Sequence, residues 1–239
     1  MKNIWVIAKR EFRAYFDSPI AYVAITVFLV ITGVLFFFAE DFFATGESTL
    51  RPLFDWVPLI FVFYLPAISM RLLSEERRSG TYELLATMPV RDVEVVLGKY
   101  LSAIGFLLVS LALTVVLPII VAMAGDVDWG PIVGGYVGLF LVGAAYLAVG
   151  LMTSAWTRSQ VISFVLSFLI CGFFFYVDRF IGAMWESTRD VVAYFSFHHH
   201  FLNISRGVID SRDIVFYVSL IVATLLVASY SLQRRRWKG

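Results

Sequence analysis

The sequence predicts an all-α polytopic membrane protein, and three observations carry that reading. The 239-residue chain is 60% hydrophobic and only 15% charged, with a mean hydropathy of +0.83, whereas a soluble domain is about half apolar and about a quarter charged. Six uncharged apolar stretches recur along it, each near the ~20 residues that a helix needs to cross a hydrocarbon core. All eighteen acidic residues lie outside these stretches or at their edges, as the cost of a charge in lipid requires.

The first element, residues 1–19, is expected to be an interfacial amphipathic helix. Ile4, Trp5, Ala8, Phe12, Tyr15 and Phe16 fall on one side of a helical projection, and Lys2, Lys9, Arg10, Arg13 and Asp17 fall mainly on the other, with Val6 out of pattern. Such a helix lies along the inner leaflet until Ser18-Pro19 turns the chain into the membrane. A cleaved leader fits poorly, because the next apolar run is long and no small-residue cleavage pattern follows it. Residues 20–239 then form a six-helix transmembrane domain, with spans at about 20–38, 54–70, 100–124, 131–155, 161–177 and 214–232. The second span is short and carries Pro58 and Pro66, so it is expected to extend back toward Pro52 or to kink against its neighbours. Gly130, Gly134 and Gly138 recur every four residues at the start of the fourth, the spacing that lets another helix approach closely.

Lysines and arginines orient the bundle, since they are retained preferentially on the cytoplasmic side. Fourteen fall on the face that holds both termini and five on the opposite face, so both termini are expected to be cytoplasmic. The net charge of +1 leaves no basic excess for nucleic acid. The single cysteine, Cys171, excludes an intramolecular disulfide. His198, His199 and His200 are consecutive, so their side chains diverge by about 100° per residue on a helix, and no metal site is expected. No carboxylate sits at mid-membrane, which weakens an ion-coupled carrier. The Gly98-Lys99 pair is followed by Tyr100 and has Val93 where the first glycine of a phosphate loop is needed. ATP hydrolysis must therefore come from another polypeptide.

The loop between the second and third spans carries the sharpest signal. Glu75, Glu76, Arg77 and Arg78 form a charged helix that Gly80 can end; Thr81 can cap a second short helix, with Glu83 near its start; Pro89 stops that helix, and Asp92 caps the approach to the third span. Tyr82, Leu84, Leu85 and Met88 supply an apolar face for a partner groove. The run E-E-R-R-x-G-T-x-E-L-L-x-x-x-P-V-x-x-x-E-x-x-L-G-K resembles the signature loop of ABC-2 type transporter permeases. The N-terminal K-R-E-F helix and the segment His200–Asp210 resemble permeases of the gliding-motility and nitrous-oxide-reductase maturation type. The resemblance implies a coupling helix at Thr81–Pro89 that docks in a separate ATPase subunit, and short re-entrant helices within Ile181–Arg212.

The leading expectation is a non-catalytic permease subunit of an ATP-binding-cassette exporter. It implies a second permease copy or a paralogous permease, two ATPase subunits that bind ATP and Mg²⁺, and optionally a periplasmic auxiliary protein; no cofactor is expected in this chain. The alternatives are a membrane module that transmits ATPase-driven conformational change to periplasmic partners, and an ion-coupled carrier.

Overall fold

A computed structural model describes residues 2–38, 50–81, 90–181, 195–207 and 210–236. Among them there are ten helices and no strand. They are α1 (Lys2–Phe16), α2 (Pro19–Phe38), α3 (Arg51–Ser69), α4 (Ser74–Ser79), α5 (Asp92–Thr114), α6 (Val116–Ala124), α7 (Trp129–Trp156), α8 (Gln160–Ile181), α9 (Phe197–Ser205) and α10 (Ser211–Arg236). Six stretches, starting at Pro19, Arg51, Asp92, Trp129, Gln160 and Ser211, are long and apolar enough to cross a membrane. The chain is an all-α, multi-pass membrane protein.

The second span resolves its shortness by extending. It begins at Arg51 with Pro52 in its first turn, where a missing N–H costs nothing. Pro58 and Pro66 are interior but buried, and the surrounding helices protect the backbone carbonyls they leave unpaired. The third span bends at Val115, whose N–H bonds the Ala112 carbonyl at 3.2 Å. Pro118 explains the break, because it has no N–H to offer the Thr114 carbonyl one turn back.

The fourth span, α7, is the hub, packing against α3, α5, α8, α9 and α10. Its glycines allow this. A Cβ on Gly134 would stand 2.5 Å from the Ile204 carbonyl, and one on Gly138 would stand 3.0 Å from the Phe201 ring, both against α9; one on Gly143 would stand 2.8 Å from Leu107 of α5. Gly135, which spacing alone does not single out, lies against the Phe54 ring of α3. Gly130 is different, since a Cβ there would meet only the Asp128 carboxylate of its own cap, at 3.4 Å. The outer helices α2, α8 and α10 leave Val23, Val27, Val165, Leu169, Val218 and Leu226 exposed, the apolar surface that a lipid solvent calls for.

α9 lies within the bundle. Its Phe197 ring meets Tyr146 of α7 at 5.3 Å, while Ile204 lies against Gly134 nearer the start of α7. Ser196 caps it, its hydroxyl accepting from the His199 N–H. The three histidines diverge. His199 is exposed, His198 faces Phe175, and His200 is buried, stacked on Phe216 at 4.1 Å. Its Nδ1 lies 2.5 Å from Oδ1 of Asp213. Asp213, one of the acidic residues at the edge of an apolar stretch, is enclosed there, 3% exposed.

Candidate functional site

The site is built where α3 ends. Met70 to Leu73 turn the chain, and α4 starts with two N–H groups that have no partner inside a helix. Ser154 of α7 supplies one, its hydroxyl oxygen accepting from Leu73 N–H at 3.0 Å and Ser74 N–H at 2.9 Å and donating to the Met70 carbonyl. The other end of α4 is stopped by Gly80 at φ 75°, a left-handed conformation that favours glycine. Thr81 follows, its hydroxyl paired with that of Ser79 at 2.9 Å. Tyr82, Glu83, Leu84, Leu85, Met88 and Pro89 lie outside the described residues.

The four charges of α4 divide by face. Glu75 and Arg78 are exposed. Arg77 is buried, donating from Nη1 to the carbonyls of Ala155 and Thr157, so it satisfies the end of α7 and sits where a helix dipole favours a cation. Glu76 pairs with the Lys99 ammonium at 2.7 Å. Lys99, only 2% exposed, also pairs with Glu11 of α1 at 3.2 Å. One buried cation thus ties together the N-terminal helix, the E-E-R-R helix and the first turns of the third span.

The docking of α1 on α5 is close. Ile7 and the Ile4 carbonyl pack against Gly98, Phe12 packs against Gly105, and the Tyr15 and Phe106 rings lie 5.1 Å apart. Trp5, expected on the apolar side with these residues, is 70% exposed. The helix has a protein-facing stripe centred on Ile4, Ile7, Glu11 and Tyr15, and Trp5 lies about 100° from Ile4 around the axis. Asn3 donates to the Glu94 carboxylate at 3.3 Å, and Glu94 also accepts from the Arg91 N–H at 3.1 Å. The cap of α5 is therefore Arg91 rather than Asp92, which takes the first helical position; Glu94 reaching back to the cap N–H fixes that register.

Burial acts to raise the Glu11 carboxyl, but the Lys99 ammonium and Arg10 guanidinium beside it outweigh burial and hold it below the usual carboxylate value. Glu11 and Lys99 stood in the quoted K-R-E-F and L-G-K motifs without a role, and Ser154 was not singled out by the sequence pattern. Glu11 had a signal, a carboxylate at the same projected angle as Ile4 and Tyr15. The clue to Lys99 was a lone lysine opening an apolar run.

Six spans, a wired charged helix between the second and third, and a hub helix contacted by six others define a polytopic membrane protein with a braced loop on one face. The family model described as ABC-2 family transporter protein matches residues 47–230, and the chain belongs to that family. No curated protein matches it. It is a membrane component of an ABC transporter.

Proposed function

We propose that the chain is the transmembrane permease subunit of an ATP-binding-cassette exporter, which moves its substrate outward using ATP hydrolysed by a separate ATPase subunit. Two six-helix subunits, identical or paralogous, would sit above two ATPase subunits that bind ATP and Mg²⁺, in a bacterial inner membrane with both termini cytoplasmic. The observation that carries the reading is the bracing of the segment just before Thr81–Pro89. Arg77 fixes α4 to the end of α7, and Lys99 fixes it to α1 and α5. A force applied at Thr81–Pro89 would therefore reach the hub helix and the N-terminal helix directly rather than being absorbed in a slack loop. Tyr82, Leu84, Leu85 and Met88 would enter a groove of the ATPase, with Glu75 and Arg78 at its rim.

The test is co-purification from the native membrane. Replacing Leu84 and Leu85 together with Asp should abolish recovery of a Walker-containing ATPase while the chain itself keeps its yield and elution profile, because charge at an apolar anchor costs several kcal/mol of affinity. Unchanged recovery of the ATPase would sink the coupling-helix assignment.

A further inference from the structure

Beside the Lys99 cluster lies a cavity of about 310 Å³ that none of the interactions described above fills. Tyr15 from the end of α1, Ile20 from the start of α2, Ala67 and Ile68 from the end of α3, and Arg71 and Glu75 line it, together with the ion-paired Glu11, Glu76 and Lys99. Its lining is thus both apolar and charged. Ala67 and Ile68 form an apolar wall next to the exposed Ile20, while Arg71 has no ion-pair partner among the described residues. The phenol oxygen of Tyr15 is buried and makes no hydrogen bond there, and neither does Oε2 of Glu76. Burial and the nearby Glu11 carboxylate raise the Tyr15 phenol above its ordinary value, so it remains a hydrogen-bond donor. A buried donor left unpaired is destabilising, and a phosphate oxygen supplies the acceptor it lacks.

We propose that this cavity binds the headgroup of an aminophospholipid from the cytoplasmic leaflet, the phosphate on Arg71 and Tyr15, the primary ammonium on Glu75, and the acyl chains leaving past Ile20 and Ile68. The placement rests on the orientation given under Proposed function, which puts these helix ends at headgroup depth. Three features select this ligand. Lys99 is already shared by Glu11 and Glu76, which leaves Arg71 to meet a phosphate and an excess of carboxylate in the lining, a balance that matches a zwitterion better than a purely anionic head. The volume is at the small end of ligand cavities, room for a headgroup and not for a whole lipid. The apolar wall continues into the surface of α2, which gives the chains an exit that a free phosphate would not use. A lipid held here touches α1, α2, α3 and α4 at once, so its occupancy would set how firmly the braced loop is held.

The experiment is thermal unfolding of the purified full-length chain in a neutral detergent, titrated with dihexanoyl phosphatidylethanolamine, dihexanoyl phosphatidylcholine, dihexanoyl phosphatidylglycerol, phosphoethanolamine or inorganic phosphate. The expected result is a saturable rise in Tm with the ethanolamine lipid, at an apparent affinity about ten-fold above that of the choline lipid, whose quaternary ammonium cannot donate to Glu75. Phosphoethanolamine and inorganic phosphate should have little effect. Arg71→Gln should abolish the rise, and Glu75→Gln should bring the two zwitterionic lipids to equal affinity. Equal shifts with all three lipids, a shift with inorganic phosphate as large as that with the lipid, or an undiminished response in Arg71→Gln would overturn the proposal. If Arg71→Gln does not fold, the ranking of lipids on the unmodified chain decides by itself. Recovery of the ATPase is a separate readout, so either reading can fail without the other.

Discussion

Neighbouring charges on one short helix do opposite jobs, and Arg77 and Arg78 show it most directly. Arg77 is enclosed and holds the carbonyls of Ala155 and Thr157; Arg78 is exposed. Arg77→Met should lower stability by about 1–3 kcal/mol through the acceptors it strands, whereas Arg78→Met should stay within about 0.5 kcal/mol, with detergent thermal unfolding as the measurement. A larger loss for Arg78 would invert the facing described for α4. Lys99 stands between Glu11 and Glu76, both partly exposed, so Lys99→Met should cost less than the ~3–5 kcal/mol of breaking a fully buried pair and should free α1 for proteolysis. The pH dependence has a definite sign. Because the Glu11 carboxyl is held below its ordinary 4.5, its contribution is fully present above that pH and is lost as pH falls through the lowered value. The part of the protease protection of α1 that depends on Glu11 should therefore be fully present above pH 4.5 and fall below it, a loss that Glu11→Gln should remove, whereas Glu76, raised by burial, titrates above that value.

At the scale of elements, α7 decides which substitutions the bundle accepts. Gly134→Ala places a methyl against the Ile204 carbonyl and should cost about 1–3 kcal/mol by overpacking, while Gly130→Ala, with only its own cap nearby, should be tolerated. Equal yields of the two folded variants would remove the close α7–α9 approach. These elements were unequally legible. Lipid demands long uncharged helices, so the six spans and their order could be read directly, and Gly134 and Gly138 announced a close approach by spacing. What they approach could not be read, because α9 comes from a segment far along the chain whose helical character is short and mixed. The E-E-R-R motif was visible as a motif, but its division into inward Glu76 and Arg77 and outward Glu75 and Arg78 depends on Lys99 and on the end of α7, which no local pattern contains. Trp5 lies outside the protein-facing stripe because α1 meets protein on one side only, a division that a single amphipathic projection does not show. The burial of Asp213 was not legible because its partner, His200, lies on another helix.

Across the whole molecule, the interactions that matter most join distant parts of the sequence. Glu11 and Lys99 are held together across the first two spans, Arg77 meets Ala155 and Thr157, and His200 meets Asp213. The Lys99 contact also sets an order of events during synthesis. Helix α1 leaves the ribosome before α5, so the ammonium and the Gly98 and Gly105 notches that receive it are made only after two spans have been threaded into the membrane. A segment made early is thus seated late. Nascent chains stalled before residue 99 should leave α1 open to protease, and chains released after the third span should close it. A tag or fusion that delays α1 would then slow final assembly without changing a single contact of the finished protein.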